Sequence, residues 1–196
     1  MKKWLPLIII VVVIIGIFRW GVGLNNTMVE KQETAKTQWA NVESAYQRRS
    51  DLIPNLVSTV KGYAEHEKET LEGVIEARAK ATSTTIDPSN VTPEQMAAFQ
   101  ESQNSLSGAL SRLMVVVEKY PDLKANQNFL ELQSQLEGTE NRINVERNRF
   151  NNLAKDYNIY IRKFPASMVA GILNFEPMAL FQAAAGSEKA PTVDFN

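Results

Sequence analysis

Apolar and polar positions divide the chain into an N-terminal apolar block and a long amphipathic remainder. From Trp4 to Leu24 every residue is uncharged except Arg19. At about 1.5 Å per helical residue, such a run crosses a hydrocarbon core of about 30 Å. Arg19 lies near the exit end, where a long stem carries its charge to the headgroups. Trp4 and Trp20 fall near the two interfaces that indole rings prefer. The pattern predicts a transmembrane anchor over residues 1–24. A cleaved signal peptide is the competing reading. Lys2 and Lys3 would form its basic region, Leu5 to Phe18 its apolar region, and Gly21-Val22-Gly23 its cleavage site. Retention is the preferred reading of the two. The short basic tail before the apolar run favours an N-terminus inside and the rest of the chain outside, although Arg19, Lys31 and Lys36 weigh on the other side.

Beyond the anchor the apolar period becomes helical. Met28, Ala35, Trp39, Val42 and Tyr46 follow three-four spacing. Ile53, Leu56, Val60, Tyr63, Leu71, Val74 and Ala81 extend the stripe. Pro54 interrupts it and leaves two readings open. Either the helix kinks there, or a new helix starts with Ser50 or Asp51 as its cap and Pro54 in its first turn. Residues 82–92 have loop composition. Thr92-Pro93-Glu94-Gln95 then reads as a capping box with proline at the first helical position. Met96, Phe99, Leu106, Leu110, Leu113 and Val117 form the apolar face of that helix. A last helix is predicted from about Asp122 to Lys163. Its seam is Phe129, Leu132, Leu136, Ile143, Phe150, Leu153, Tyr157, Tyr160 and Phe164, with Thr139 and Glu146 as register devices or water-facing gaps. Pro165 stops it. The apolar stretch Met168–Phe175 reads as a lid over the end of the domain, a partner groove or a membrane-facing patch. The expected class is all-α: the anchor, a helical domain over 25–181 of about four antiparallel amphipathic helices, and a flexible tail over 182–196 with a strand-like Thr192-Val193-Asp194-Phe195.

Charge and composition narrow the function more than they identify it. The formal net charge is −1, so no overall basic field favours nucleic acid or anionic lipid. The chain has no cysteine, which removes disulfides, thiol nucleophiles and cysteine metal sites.

Three long stretches closely resemble the LemA family: RRSDLIPNLVSTVKGYAEHEKETLEGVIEARA at 48–79, YPDLKANQNFLELQSQLEGTENRINVERNRFN at 120–151, and YNIYIRKFPASMVAG at 157–171. The closing Val193-Asp194-Phe195 is similar too. The resemblance implies an N-terminal membrane anchor and an antiparallel up-and-down four-helix bundle with long helices. It implies no reaction. It also suggests a setting in the bacterial envelope, near membrane proteases of the HtpX type.

Five residues stand out as an interaction surface: Arg48, Arg49, Asp51, Lys61 and His66. Asp51 as a helix cap paired with an arginine explains three of them without a ligand. His66 is the single histidine, flanked by Glu65 and Glu67, whose side chains point away from it on a helix; this argues against a metal. A di-metal carboxylate site is excluded for want of a second histidine. Gly62 reads as a point of close helix approach or a bend. The asparagines at 141, 144, 148, 151 and 152 are poor helix formers and mark a face that hydrogen-bonds to a helix or a partner. The expected function is therefore a non-catalytic, single-pass membrane interaction module without cofactor or metal. Its partners are the bilayer through residues 4–24 and another membrane protein. The rival readings are a self-associating coiled-coil spacer, which would be a homo-oligomer, and an accessory to membrane proteolysis.

Overall fold

A computed structural model describes residues 4–88 and 91–182. The predicted strand at 192–195, the tail beyond Gln182 and the Lys2-Lys3 pair lie outside the described residues. The chain is all-α, and its first helix is by far the longest. Helix α1 spans Leu5–Lys61 without interruption, roughly 85 Å at helical rise. Helices α2 (Lys68–Ser83), α3 (Pro93–Val117), α4 (Pro121–Lys124), α5 (Gln127–Arg162) and α6 (Ala166–Ile172) follow.

The N-terminal part of α1 is the one described helix segment long and apolar enough to cross a membrane, and none of its apolar window is buried against the protein. The same helix then enters the folded domain, where Met28, Ala35, Trp39, Val42, Ile53, Leu56 and Val60 are all buried. Gly21-Val22-Gly23 therefore sits in the helix interior.

Pro54 does not reverse the chain. It lies inside α1, and Ser50 and Asp51 are interior helical residues rather than caps. The reversal comes at residues 62–67, with Gly62 as the C-cap. Proline has no N–H to give the carbonyl four residues back. That carbonyl belongs to Ser50, and Arg78 Nε of α2 donates to it at 2.7 Å. The orphaned acceptor is thus the docking point of α2 on α1. Arg78→Met is expected to cost about 1–2 kcal/mol. In a Pro54→Ala background, where the new alanine supplies the missing N–H, that cost should shrink by about half or more. Chemical denaturation of the four proteins of this cycle in micelles measures it; equal costs in both backgrounds would refute the assignment.

Hydrogen bonds set the direction of α5. Tyr63 pairs with Asn126, Arg49 with Glu140, Gln38 with Glu146, and the Lys31 ammonium stands over the Tyr160 ring. The order is opposite in the two helices, so α5 runs back along α1. Helix α3 starts from the predicted capping box: Thr92 Oγ1 accepts from Gln95 N–H at 3.2 Å, and Gln95 Oε1 accepts from Thr92 N–H at 2.9 Å. The expected single helix from Asp122 is instead two. Helix α4 ends at Lys124, and Asn126 caps α5 by accepting from Phe129 N–H at 3.1 Å. A side-chain oxygen there satisfies a first-turn N–H that has no partner within the helix, which favours a fresh start.

The apolar stripes meet in two cores. One joins Met28 to Tyr46 of α1 with Phe99, Ile143, Phe150, Tyr157, α6 and the chain near Phe181. The other joins Ile53 to Ala64 with Leu71, Val74, Leu106, Leu113, Phe129 and Leu136. Two predicted stripe positions fall outside them. Tyr63 is exposed, and Ala64 is buried in its place. Phe164 is 80% exposed because α5 has already ended at Arg162.

Candidate interaction surface

Between the two cores lies a layer of buried polar residues. Along α1 it is Arg49 and Ser50, between Tyr46 and Ile53; along α3 it is Ser102 and Gln103, between Phe99 and Leu106. Thr139 of α5 stands between Leu136 and Ile143. Arg49 is the hub. Its Nη1 donates to Glu140 Oε2 at 2.8 Å and to Ser107 Oγ at 2.9 Å, and its Nη2 donates to Gln103 Oε1 at 2.7 Å. Gln103 Nε2 in turn reaches the Ala81 carbonyl of α2 at 3.1 Å. One guanidinium fork thus ties α1, α3 and α5 at one level, and Gln103 adds α2. A one-residue slip of any helix would leave several of these groups buried and unpaired. Burial pushes the nearby Tyr46 phenol up from its usual range, against the pull of Arg147 and Arg49.

A second buried polar contact sits nearer the apolar end of α1. Glu146 is 2% exposed and accepts from Gln38 Nε2 at 2.6 Å, with Arg142 and Arg149 closing on its carboxylate at 3.1 and 3.6 Å. Neither Thr139 nor Glu146 faces water. Glu146 makes its bond across to α1, as a register device would, whereas Thr139 donates only to the Gln135 carbonyl of its own helix.

The five residues singled out in the sequence do not form one site. Arg49 is buried in the polar layer, whereas Arg48, Asp51, Lys61 and His66 are exposed. Asp51 pairs with no arginine; it accepts from Gln47 one turn back at 2.7 Å. Lys61 lies in the last turn of α1, and His66 in the turn that follows. Arg48 lines a shallow polar cleft of about 420 Å³ between α1 and α5, with Asn41, Ser44, Gln135, Thr139 and Arg142. Among the described residues, no group of three or more His, Asp or Glu side chains is placed to hold a metal ion.

Of the asparagines expected to form a hydrogen-bonding face, Asn151 alone makes such a contact among the described residues; Asn141, Asn144, Asn148 and Asn152 are exposed, and the second contact comes from Asn158, which lies outside that set. The chain after α6 turns at Asn174, which takes a left-handed φ of 56°, a conformation asparagine tolerates better than most residues. Phe175 N–H closes the helix on the Ala170 carbonyl at 3.0 Å. Residues 176–182 then run back as a strap along α5. Asn158 exchanges two bonds with the Met178 backbone, at 2.9 and 2.8 Å. Asn151 does the same with Phe181, at 3.0 and 2.9 Å. Gln100 of α3 does so with Gln182, at 2.9 and 3.2 Å. Each carboxamide presents a donor and an acceptor, as a neighbouring strand would. Tyr157 Oη donates to the Glu176 carbonyl at 3.0 Å. Within the strap, Phe181 stacks on Trp39 with ring centroids 5.4 Å apart. Asn158→Ala removes two strap bonds at once. Limited proteolysis within residues 174–182 is expected to speed up roughly tenfold, the equivalent of about 1.4 kcal/mol of local opening. An unchanged cleavage rate would show that the aromatic contacts alone hold the strap.

The LemA family model matches residues 38–195. The chain belongs to the LemA family. It is 28% identical to the protein named LemA of Metamycoplasma hominis over 177 residues, covering 90% of this chain and 77% of that one. It is also 28% identical over 174 residues to magnetosome protein MamQ 2 of Paramagnetospirillum magneticum, and 27% identical over 173 residues to MamQ of Magnetospirillum gryphiswaldense. The chain spans 64% of the length of these MamQ relatives, and 80% of it is covered. The LemA match begins at Gln38, so it takes in both buried polar contacts and the strap but none of the apolar segment. The three LemA-like stretches acquire physical roles here. The first holds Arg49, Pro54 and Arg78; the second holds Glu140, Glu146 and Asn151; the third holds Tyr157, Asn158 and α6 up to Gly171.

Proposed function

We propose that this LemA-family chain is a non-catalytic, membrane-tethered interaction module. It is read as a single-pass protein of the cell envelope, with the N-terminus inside and an antiparallel up-and-down four-helix bundle outside. The observation that carries this reading is the continuity of α1. The apolar segment and the domain's central helix are one structure from Leu5 to Lys61. A flexible linker would let the domain wander, whereas a continuous helix holds it at a set height and tilt above the bilayer. That restriction raises its effective concentration for neighbours in the same membrane. Helicity through Gly21-Val22-Gly23 supports a retained anchor over a cleaved signal. The polar cleft at Arg48 and the exposed Lys61 and His66 are the surfaces assigned to a partner. The names of the relatives cover LemA and magnetosome MamQ proteins, which fits a module used in more than one cellular setting.

Photo-crosslinking residues placed at Arg48, Lys61 and His66 in native membranes test the reading. Adducts to a membrane protein are expected from one or more of these sites and not from Val115. A chain that stays solitary at all three sites overturns it. Reporter fusions to the C-terminus test the orientation separately. The coiled-coil spacer is the less supported reading, because most of the α5 seam from Phe129 to Phe164 packs within this chain, Phe164 itself being exposed.

A further inference from the structure

Helix α6 is amphipathic in the reverse of the usual sense. Its small residues Ala166 and Ala170, 3% and 4% exposed, face the core, while Met168 and Ile172 are 61% and 78% exposed. Phe164 just before it is 80% exposed, and Leu173 just after it 50%. A helix docking on a water-soluble domain buries its large apolar side chains and leaves small or polar ones outside. Here four large apolar side chains from a ten-residue stretch stand out together, which marks an interaction surface.

Its position in the fold says what covers it. Helix α6 packs on both α1 and α5. Leu24 of α1, four residues past Trp20, packs against the core to which Ala166 and Ala170 belong. Lys31 faces Tyr160, and two more residues of that antiparallel pairing, about 3 Å, bring Arg162 at the end of α5 roughly level with Val29. Trp20 marks the expected membrane exit, and Leu24, on the core that α6 joins, lies about 6 Å past it along the helix axis. Headgroup regions add roughly 5–8 Å to each side of a hydrocarbon core, within reach of these side chains. The exposed apolar surface of α6 thereby continues the lipid-facing surface of α1. Arg162 and Lys163 immediately precede it, both exposed, as cations that suit an anionic headgroup layer; Glu176 is the exposed carboxylate on the near side of the strap.

We propose that α6 is a second membrane contact: Phe164, Met168, Ile172 and Leu173 insert into the interfacial zone of the leaflet from which α1 emerges. This rests on the single-pass reading of α1. Two anchoring points, one spanning and one lying in the interface, fix the rotation of the domain about the membrane normal as well as its height. One face of the domain, including the Arg48 cleft, is then always presented in the same direction relative to the bilayer.

The absence of cysteine makes a labelling test clean. The full chain is reconstituted in vesicles of phosphatidylethanolamine and phosphatidylglycerol as three separate variants: Val12→Cys in the span, Ile172→Cys on α6 and Val115→Cys on exposed α3. Each carries an environment-sensitive fluorophore. The expected result is quenching of the labels at 12 and 172 by spin labels borne on lipid, with the label at 115 quenched only by aqueous iodide. A label at 172 quenched by iodide as fully as that at 115, with 12 still in lipid, overturns the proposal and leaves the single-pass reading standing. A label at 172 shielded from both quenchers overturns it in favour of a protein contact. Aqueous quenching at 12 defeats both readings.

Discussion

Trp39→Ala is expected to destabilise the folded domain by about 3–5 kcal/mol, the largest effect of any single truncation. Trp39 is 2% exposed and stands where α1, α3, α5 and the strap meet. Its indole contacts Phe99 at 5.6 Å, Phe150 at 5.1 Å and Phe181 at 5.4 Å between centroids. Removing it empties the largest of the fully buried side-chain sites, and three aromatic neighbours on separate elements cannot all collapse into the space. The indole N–H has no partner among the described residues. Trp39→Phe therefore loses volume but no hydrogen bond, and is expected to cost less than half as much as the alanine. Thermal and denaturant unfolding in micelles give both values. The alanine variant should also free the strap, since Phe181 loses its stacking surface, so proteolysis within residues 174–182 reports the same substitution locally. A loss below about 1 kcal/mol would mean that the first core closes around the missing indole and that Trp39 does not hold its elements together.

Arg49→Ala follows, at about 2–4 kcal/mol. Arg49 is buried, whereas its partner Glu140 keeps a side chain 46% exposed. The carboxylate can therefore rehydrate, which holds the loss at the lower part of the range for a broken buried pair. Gln103 has no such escape. It is 6% exposed, and its Oε1 loses the 2.7 Å bond from Nη2. Arg49→Lys is expected to rescue little, because one ammonium cannot reproduce a planar fork aimed at three acceptors on two helices. Arg49→Met fills the space without a charge and should recover roughly half of the loss. The informative readout is a comparison of unfolding cooperativity. If the polar layer sets register, the methionine variant regains stability but unfolds over a broader transition than the parent.

Much of the architecture is legible without the structure. The apolar run, the three-four stripes and the Thr92 capping box are local patterns, set by helical period and by the hydrogen-bonding needs of a helix start. Each leads to an element observed close to its expected place. Reading Pro54 as a break has a local reason too, but it cannot see that Arg78, twenty-four residues on, occupies the freed Ser50 carbonyl. Tyr63 and Phe164 fit apolar stripes by spacing, yet both lie just past a helix end, where the period no longer applies. The five candidate surface residues stand out by charge and proximity in sequence. Only burial separates Arg49 from the other four.

Helix content, the long apolar N-terminal helix and membership of the LemA family were determined by the sequence itself, because each depends on residues within a few turns or on extended runs of similarity. The tertiary structure decided what required two distant segments at once. It joined Arg49 to Gln103 and Glu140, gave Asn151 and Asn158 a backbone to hold, and turned the small face of α6 inward so that its large apolar residues stand beside the expected membrane exit of α1. Side-chain amides and guanidinium groups have many partners available in an unfolded chain. Their choice is made by packing, when helices close on one another and leave each buried polar atom a single neighbour within reach.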